Sequence, residues 1–94
     1  MANNRILVVD DEESLCEILK FNLTKEGYDV VTAYSAEEAL ALKLTDIDLV
    51  ILDIMMGEIS GIKMAKMLKN DVTTAQIPII FCFAESRARQ SKSF

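Results

Sequence analysis

The chain contains no histidine. That removes most zinc sites and every triad built on an imidazole. Cysteine is scarce: Cys16 and Cys82 each sit in an apolar pattern. That placement reads as two buried, inert thiols rather than a disulfide or a metal pair. Basic charge is short as well. Ten Lys and Arg stand against fifteen Asp and Glu, for a net charge of −5, and no basic stripe is visible. This composition argues against direct nucleic-acid binding by this segment. It suits a site that takes a cation or a basic partner. The only proline, Pro78, opens an apolar run, a place where a strand tolerates it. No apolar run is long enough to span a membrane. Met1-Ala2-Asn3-Asn4-Arg5 leads straight into a strand without the pattern of a signal peptide. The expectation is a cytoplasmic protein with no membrane partner.

What is present is a core. The 94 residues are 51% hydrophobic, which implies one globular domain. Arg5 to Val9 is a strand apolar on both faces. Asp11 or Glu12 is placed to cap a helix whose apolar face is Leu15, Ile18, Leu19 and Leu23, closed by Gly27. Tyr28 to Ala33 is a second strand. Ser35 and Glu38 form a capping box, and Ala39, Leu40 and Leu44 continue that helix. Asp48 to Asp53 is the third strand. Ser60 or Gly61 starts a helix carrying Ile62, Ala65 and Leu68. After a polar loop over Asn70 to Gln76, Pro78 to Ala84 is the fourth strand. Strands alternating with helices give βαβ units and a parallel sheet. Residues 1–84 read as the domain and residues 85–94, rich in Ser, Arg, Lys and Gln, as an irregular, frayed tail.

The acids stand where such a sheet places ligands. Asp10-Asp11 ends one apolar run and Asp53 ends another. In open parallel sheets the site lies beyond the carboxyl ends of the strands. A carboxylate can act as a nucleophile toward phosphorus, but the phosphoryl group is itself anionic. Magnesium, which favours one or two carboxylates plus phosphate oxygens, bridges the two. Asp10 and Asp11 are the carboxylates for the metal and Asp53 is the candidate nucleophile. Taken singly, each acid also reads as a helix cap or a loop residue.

Ile6-Leu7-Val8-Val9-Asp10-Asp11-Glu12, and Asp53-Ile54-Met55-Met56 with Gly61 eight positions on, resemble the receiver domain of bacterial two-component response regulators. The Gly27-Tyr28 turn and Ile77-Pro78-Ile79-Ile80 extend the resemblance from about Arg5 to Ala84. It implies a flavodoxin-like α/β fold with strand order 2-1-3-4-5. It also implies phosphorylation by a sensor histidine kinase on Asp53. Magnesium would be bound by Asp53, by Asp11 directly, by Asp10 directly or through water, and by the backbone carbonyl of Met55.

Three departures stand out. Gly57 replaces the usual proline and loosens the loop. Phe83 stands where the family carries a Thr or Ser that hydrogen-bonds the phosphoryl group, so slower phosphotransfer and a weak switch are expected. Lys92 faintly resembles the family's phosphate-binding lysine, yet lies only eight positions beyond Ala84. A crossover to a parallel strand needs about 10–12 residues, so Lys92 reads as a solvated lysine in the tail. The expected sheet is therefore 2-1-3-4, with the fifth strand and last helix missing or irregular. The apolar run Ile79-Ile80-Phe81-Cys82-Phe83 becomes an edge at which two copies could pair.

The function expected is a non-enzymatic signalling module accepting a phosphoryl group on Asp53. The alternative is a receiver-like interaction module that is defective or cannot be phosphorylated. A metal-dependent phosphatase is disfavoured, because such enzymes want a second Asp two positions after the nucleophile, where Met55 stands.

Overall fold

The computed structural model describes residues 4–56 and 59–82. Four strands, β1 (Arg5–Val9), β2 (Asp29–Ala33), β3 (Leu49–Asp53) and β4 (Ile79–Cys82), form one sheet in the order β2-β1-β3-β4. Every pairing is parallel. This is the flavodoxin-like α/β arrangement expected, over its described part. Ile6, Leu7, Val8 and Val9 are all buried, as a strand apolar on both faces must be. Leu7, Val9, Val50 and Leu52 point to one face and pack with Ala36, Ala39, Met64 and Leu68. Ile6 and Val8 point to the other and pack with Cys16, Leu19 and Leu23. The core is thus two apolar layers with the sheet between them.

The first helix, α1, spans Glu13–Lys25. Glu12 occupies the capping position, but its side chain makes no capping hydrogen bond. Asp10 acts there instead: its Oδ1 accepts from the Glu12 N–H at 2.9 Å. The expected apolar stripe is turned. Cys16, Leu19 and Leu23 face the sheet, whereas Ile18 is 56% exposed. Ile18 lies about 200° round the helix from Cys16, so the two cannot share a face. The helix closes as expected at Gly27, which has φ of +98°. The Tyr28 N–H donates to the Leu23 carbonyl and the Gly27 N–H to that of Thr24, the double bond of a Schellman closure. Tyr28 is used in that closure, so β2 begins at Asp29.

The second helix, α2, is short, Ala36–Leu40. Ser35 Oγ accepts from the Glu38 N–H at 3.0 Å, and Glu38 Oε1 accepts from the Tyr34 N–H. The reciprocal cap therefore forms one residue offset on its return bond. The helix does not run on to Leu44. That residue lies in a separate 3₁₀ turn, Leu44–Asp46, and still reaches the core.

The third helix, α3, spans Gly61–Asn70, with Ser60 Oγ accepting from the Lys63 N–H at 3.2 Å. Its buried positions are Gly61, Met64 and Leu68; Ile62 is exposed and Ala65 half-buried. Asn70, expected in the loop, is still helical. The loop that follows is pinned by Thr74 Oγ1 donating to the Leu68 carbonyl at 2.6 Å. Lys69 Nζ also donates to the carbonyls of Ala75 and Ile77. Phe83, Ala84, the tail 85–94 and Gly57 lie outside the described residues.

Candidate functional site

Register brings the acids level. Val9 pairs with Leu52, so the next residue of each strand, Asp10 and Asp53, emerges at the same height. β1 and β3 are sheet neighbours, although β2 comes between them in sequence. One oxygen each from Asp10, Asp11 and Asp53 can be chosen so that all three lie within 4.8 Å of one another. Asp10 and Asp53 are 2% and 1% exposed, while Asp11 is exposed. The expected trio is therefore brought together, with two members held inside and one at the rim.

Local hydrogen bonds explain how neighbouring acids both reach the pocket. The Asp10 N–H donates to the Ala33 carbonyl at 3.1 Å, extending the β1–β2 pairing by one residue. Its carboxylate then holds the Glu12 N–H, which turns the chain out of strict alternation. Asp53 does the same more loosely: its Oδ1 accepts from the Met55 N–H at 3.3 Å. The Met55 side chain is 64% exposed, whereas Met56 is buried in the core and anchors the loop.

Gly61 shapes the site by proximity. Its N–H donates to the Ile54 carbonyl at 2.9 Å. A Cβ at this position would meet the Asp53 carbonyl carbon and the Ile54 Cα, each at 2.9 Å. The start of α3 is thus pressed against the backbone that carries Asp53. Sequence spacing marked Gly61 but gave no hint of this contact.

The cysteines lie closer to the site than their apolar surroundings suggested. Cys16 Sγ donates to the Asp10 carbonyl at 3.3 Å. Burial, and next the negative charge of Asp10, push its thiol up to about 12. That agrees with an inert, buried group. Cys82 is only half-buried, a correction to the sequence reading. It pairs in register with Asp53, and burial followed by the charges of Asp10 and Asp53 raises its thiol. No spacing rule would have linked either cysteine to the acids.

Three carboxylates at this separation repel one another and attract a cation. An all-oxygen donor set is the chemistry of magnesium or calcium. Asp10, Asp11 and Asp53 would supply carboxylate oxygens to such an ion, leaving its other positions to water and phosphate oxygens. Phe83 and Lys92 lie outside the described residues, as does Gly57. Among the described residues no helix is long and apolar enough to cross a membrane.

Comparison with known proteins agrees with this geometry. The family model for the response regulator receiver domain matches residues 6–93. The alkaline phosphatase synthesis transcriptional regulatory protein PhoP of Bacillus subtilis is 48% identical over 68 residues, covering 71% of this chain and 28% of that protein. Response regulator PleD of Caulobacter vibrioides is 42% identical over 81 residues, 85% of this chain and 18% of its own length. The chain thus spans less than a third of these relatives. Among solved structures, response regulator TrrA of Thermotoga maritima, in complex with Mg(2+)-BeF, superposes with a TM-score of 0.79 at 43% identity. That match covers 96% of this chain and 77% of that one. Vibrio cholerae chemotaxis protein CheY4 gives a TM-score of 0.80 at 27% identity, covering 96% and 79%.

Proposed function

The chain belongs to the family of response regulator receiver domains of two-component systems, and on that premise we propose that Asp53 accepts a phosphoryl group from a sensor histidine kinase. The carrying observation is the level trio Asp10, Asp11 and Asp53, with Asp53 buried at the end of β3. In the proposed transfer an Asp53 oxygen forms a bond to phosphorus as the phosphorus–nitrogen bond to the kinase histidine breaks. The electron pair returns to the imidazole, which takes up a proton. Magnesium, when bound, supplies the positive charge that lets two anions meet.

The chain's own residues do the positioning. Asp53 is fixed by the Met55 N–H on one side and by the close approach of Gly61 on the other. Asp10 is held in place by its bond to the Glu12 N–H, and Asp11 completes the ligand set from the rim. The backbone carbonyl of Met55 is the further ligand proposed. The role is that of a phosphorylated signalling domain in the cytoplasm, without turnover of a separate substrate. One sequence feature favours a second reading: Phe83 cannot donate the hydrogen bond that a hydroxyl would give the phosphoryl group.

Two measurements test the proposal. Thermal unfolding with and without magnesium reads the pocket. At tenfold over Kd a native-state ligand adds about 1.4 kcal/mol, several degrees in Tm for a domain this size. Asp53→Asn is expected to shrink that shift. Incubation with acetyl phosphate and magnesium, followed by intact mass, reads the chemistry. An increment of one phosphoryl group, absent in Asp53→Asn, is expected. A magnesium shift with no such increment would leave the interaction-module reading in its place.

A further inference from the structure

A groove of about 560 Å³ runs between α3 and β4. Its floor is apolar, made by Ile62 and Ala65 of the helix and Ile79 and Phe81 of the strand. Ile62 is 48% exposed and Phe81 45%, so large apolar side chains meet solvent here. Parallel sheets are ordinarily covered by helices on both faces. β1 and β3 have packed layers on either side. Beside α3, the face of β4 stays open among the described residues.

The rim of this groove is basic. Lys66 and Lys69 line it, and Lys63 lies one turn before Lys66. Across Gly61–Asn70 there are three lysines and no acid, in a chain whose net charge is −5. Neither Lys63 nor Lys66 pairs with a carboxylate among the described residues. Lys69 Nζ donates to the carbonyls of Ala75 and Ile77.

We propose that this groove docks an acidic amphipathic helix of a partner protein. Apolar side chains at i, i+3 or i+4, and i+7 would enter the floor, and Asp or Glu along the flank would face Lys66 and Lys69. A helix fits better than a strand because the open surface is a side-chain face, and helices are what cover sheet faces in this architecture. Residues 83–94 of the chain match poorly. They bring Arg87, Arg89 and Lys92 against the single acid Glu85, like charge against like. A second copy would offer α1, where Ile18 and Phe21 are exposed. There Lys20 and Lys25 offset Glu13 and Glu17, so that helix has no acidic flank. The inference does not depend on phosphoryl chemistry at Asp53.

The test uses the full chain and two fluorescein-labelled 18-residue helical peptides. They share one leucine stripe and carry either glutamates or lysines on the flank. Fluorescence anisotropy is expected to show binding of the glutamate peptide that weakens with salt, and binding of its lysine twin at least roughly tenfold weaker. Lys66→Glu should weaken the glutamate peptide by about fivefold or more, and Ile62→Ser should weaken it too, with Tm retained in both variants. Binding of neither peptide would overturn the proposal, as would equal binding of both or affinities unmoved by Lys66→Glu. Removal of residues 85–94 that strengthens binding many-fold would put the chain's own end in the groove. A self-association lost in Lys66→Glu would put a second copy there. Either result would overturn the assignment to a partner.

Discussion

Two glycines constrain single positions for different physical reasons, and the difference can be measured. Gly27 sits at φ +98° with nothing within 4 Å of where a Cβ would stand. Gly27→Ala is therefore a backbone problem alone, costing about 1–2 kcal/mol. Gly61 is a problem of space, because a methyl group there would strike the backbone of Asp53 and Ile54. Gly61→Ala should cost about 1–3 kcal/mol or more, as overpacking does, and should also displace Asp53. Urea unfolding with and without magnesium separates the two. Both variants lose stability, but only Gly61→Ala loses part of its magnesium-dependent stabilisation. An unchanged magnesium effect in Gly61→Ala would show that the contact does not position the acid. Gly27 was legible in the sequence, since a glycine after an apolar helical stripe is a local signal. The reason for Gly61 was not, because the atoms it avoids belong to another element and only the fold brings them near.

Among the elements, strands read more truly than helices. Each strand begins within a residue of its expected start, and β1, β2 and β3 end where expected, because an apolar run that ends in acids or turn residues is nearly unambiguous. The helices existed where expected but faced differently. In α1 the sheet-facing position is Cys16 rather than Ile18, and in α3 it is Met64 rather than Ile62. Cys16 is buried as its apolar pattern implied, so the misplaced residue of α1 is Ile18; in α3 the expected apolar face carried Ile62 where Met64 takes the core. Packing chose by angle: Gly61, Met64 and Leu68 are spaced three and four apart, and Ile62 lies off that line. The end of α2 was misplaced for a related reason. Leu44 fits a helical period, yet it reaches the core from a 3₁₀ turn. The α3 assignment makes a sharp prediction. Met64→Ala, which empties a side chain 0% exposed, should cost about 2–5 kcal/mol. Ile62→Ala, at 48% exposure, should stay within about 1 kcal/mol. Denaturant midpoints at constant m-value give both numbers, and a reversed order would mean that α3 is rotated about its axis.

For the molecule as a whole, the decisive feature is the side of the sheet where β4 lies. The parallel sheet was legible from alternating strands and helices, and its acidic end from the acids that close two apolar runs; the order 2-1-3-4 was implied by the resemblance to receiver domains, since connectivity alone leaves several orders open. How β4 divides its side chains was not legible. Ile79 and Phe81 turn toward α3, while Ile80 turns to the opposite face beside Leu23 of α1. Ile80 is 53% exposed and Phe81 45%, and β4 has one strand neighbour, β3, among the described residues. An apolar strand with one paired side is a template for another strand. We therefore expect the chain to self-associate through β4 as its concentration rises. Sedimentation velocity across roughly a hundredfold concentration range, starting near the micromolar level where such association is usually felt, would show a growing dimer. Ile80→Lys places a charge on the strand, a device natural edges use against pairing. It should return the chain to monomer with little change in Tm, because the side chain it replaces is already half in water. Pairing through the backbone of β4 does not draw on Lys66, so Lys66→Glu should leave this dimer intact. A monomer at every concentration would mean that the strand's open side is satisfied within the chain. The edge would then have no part in assembly.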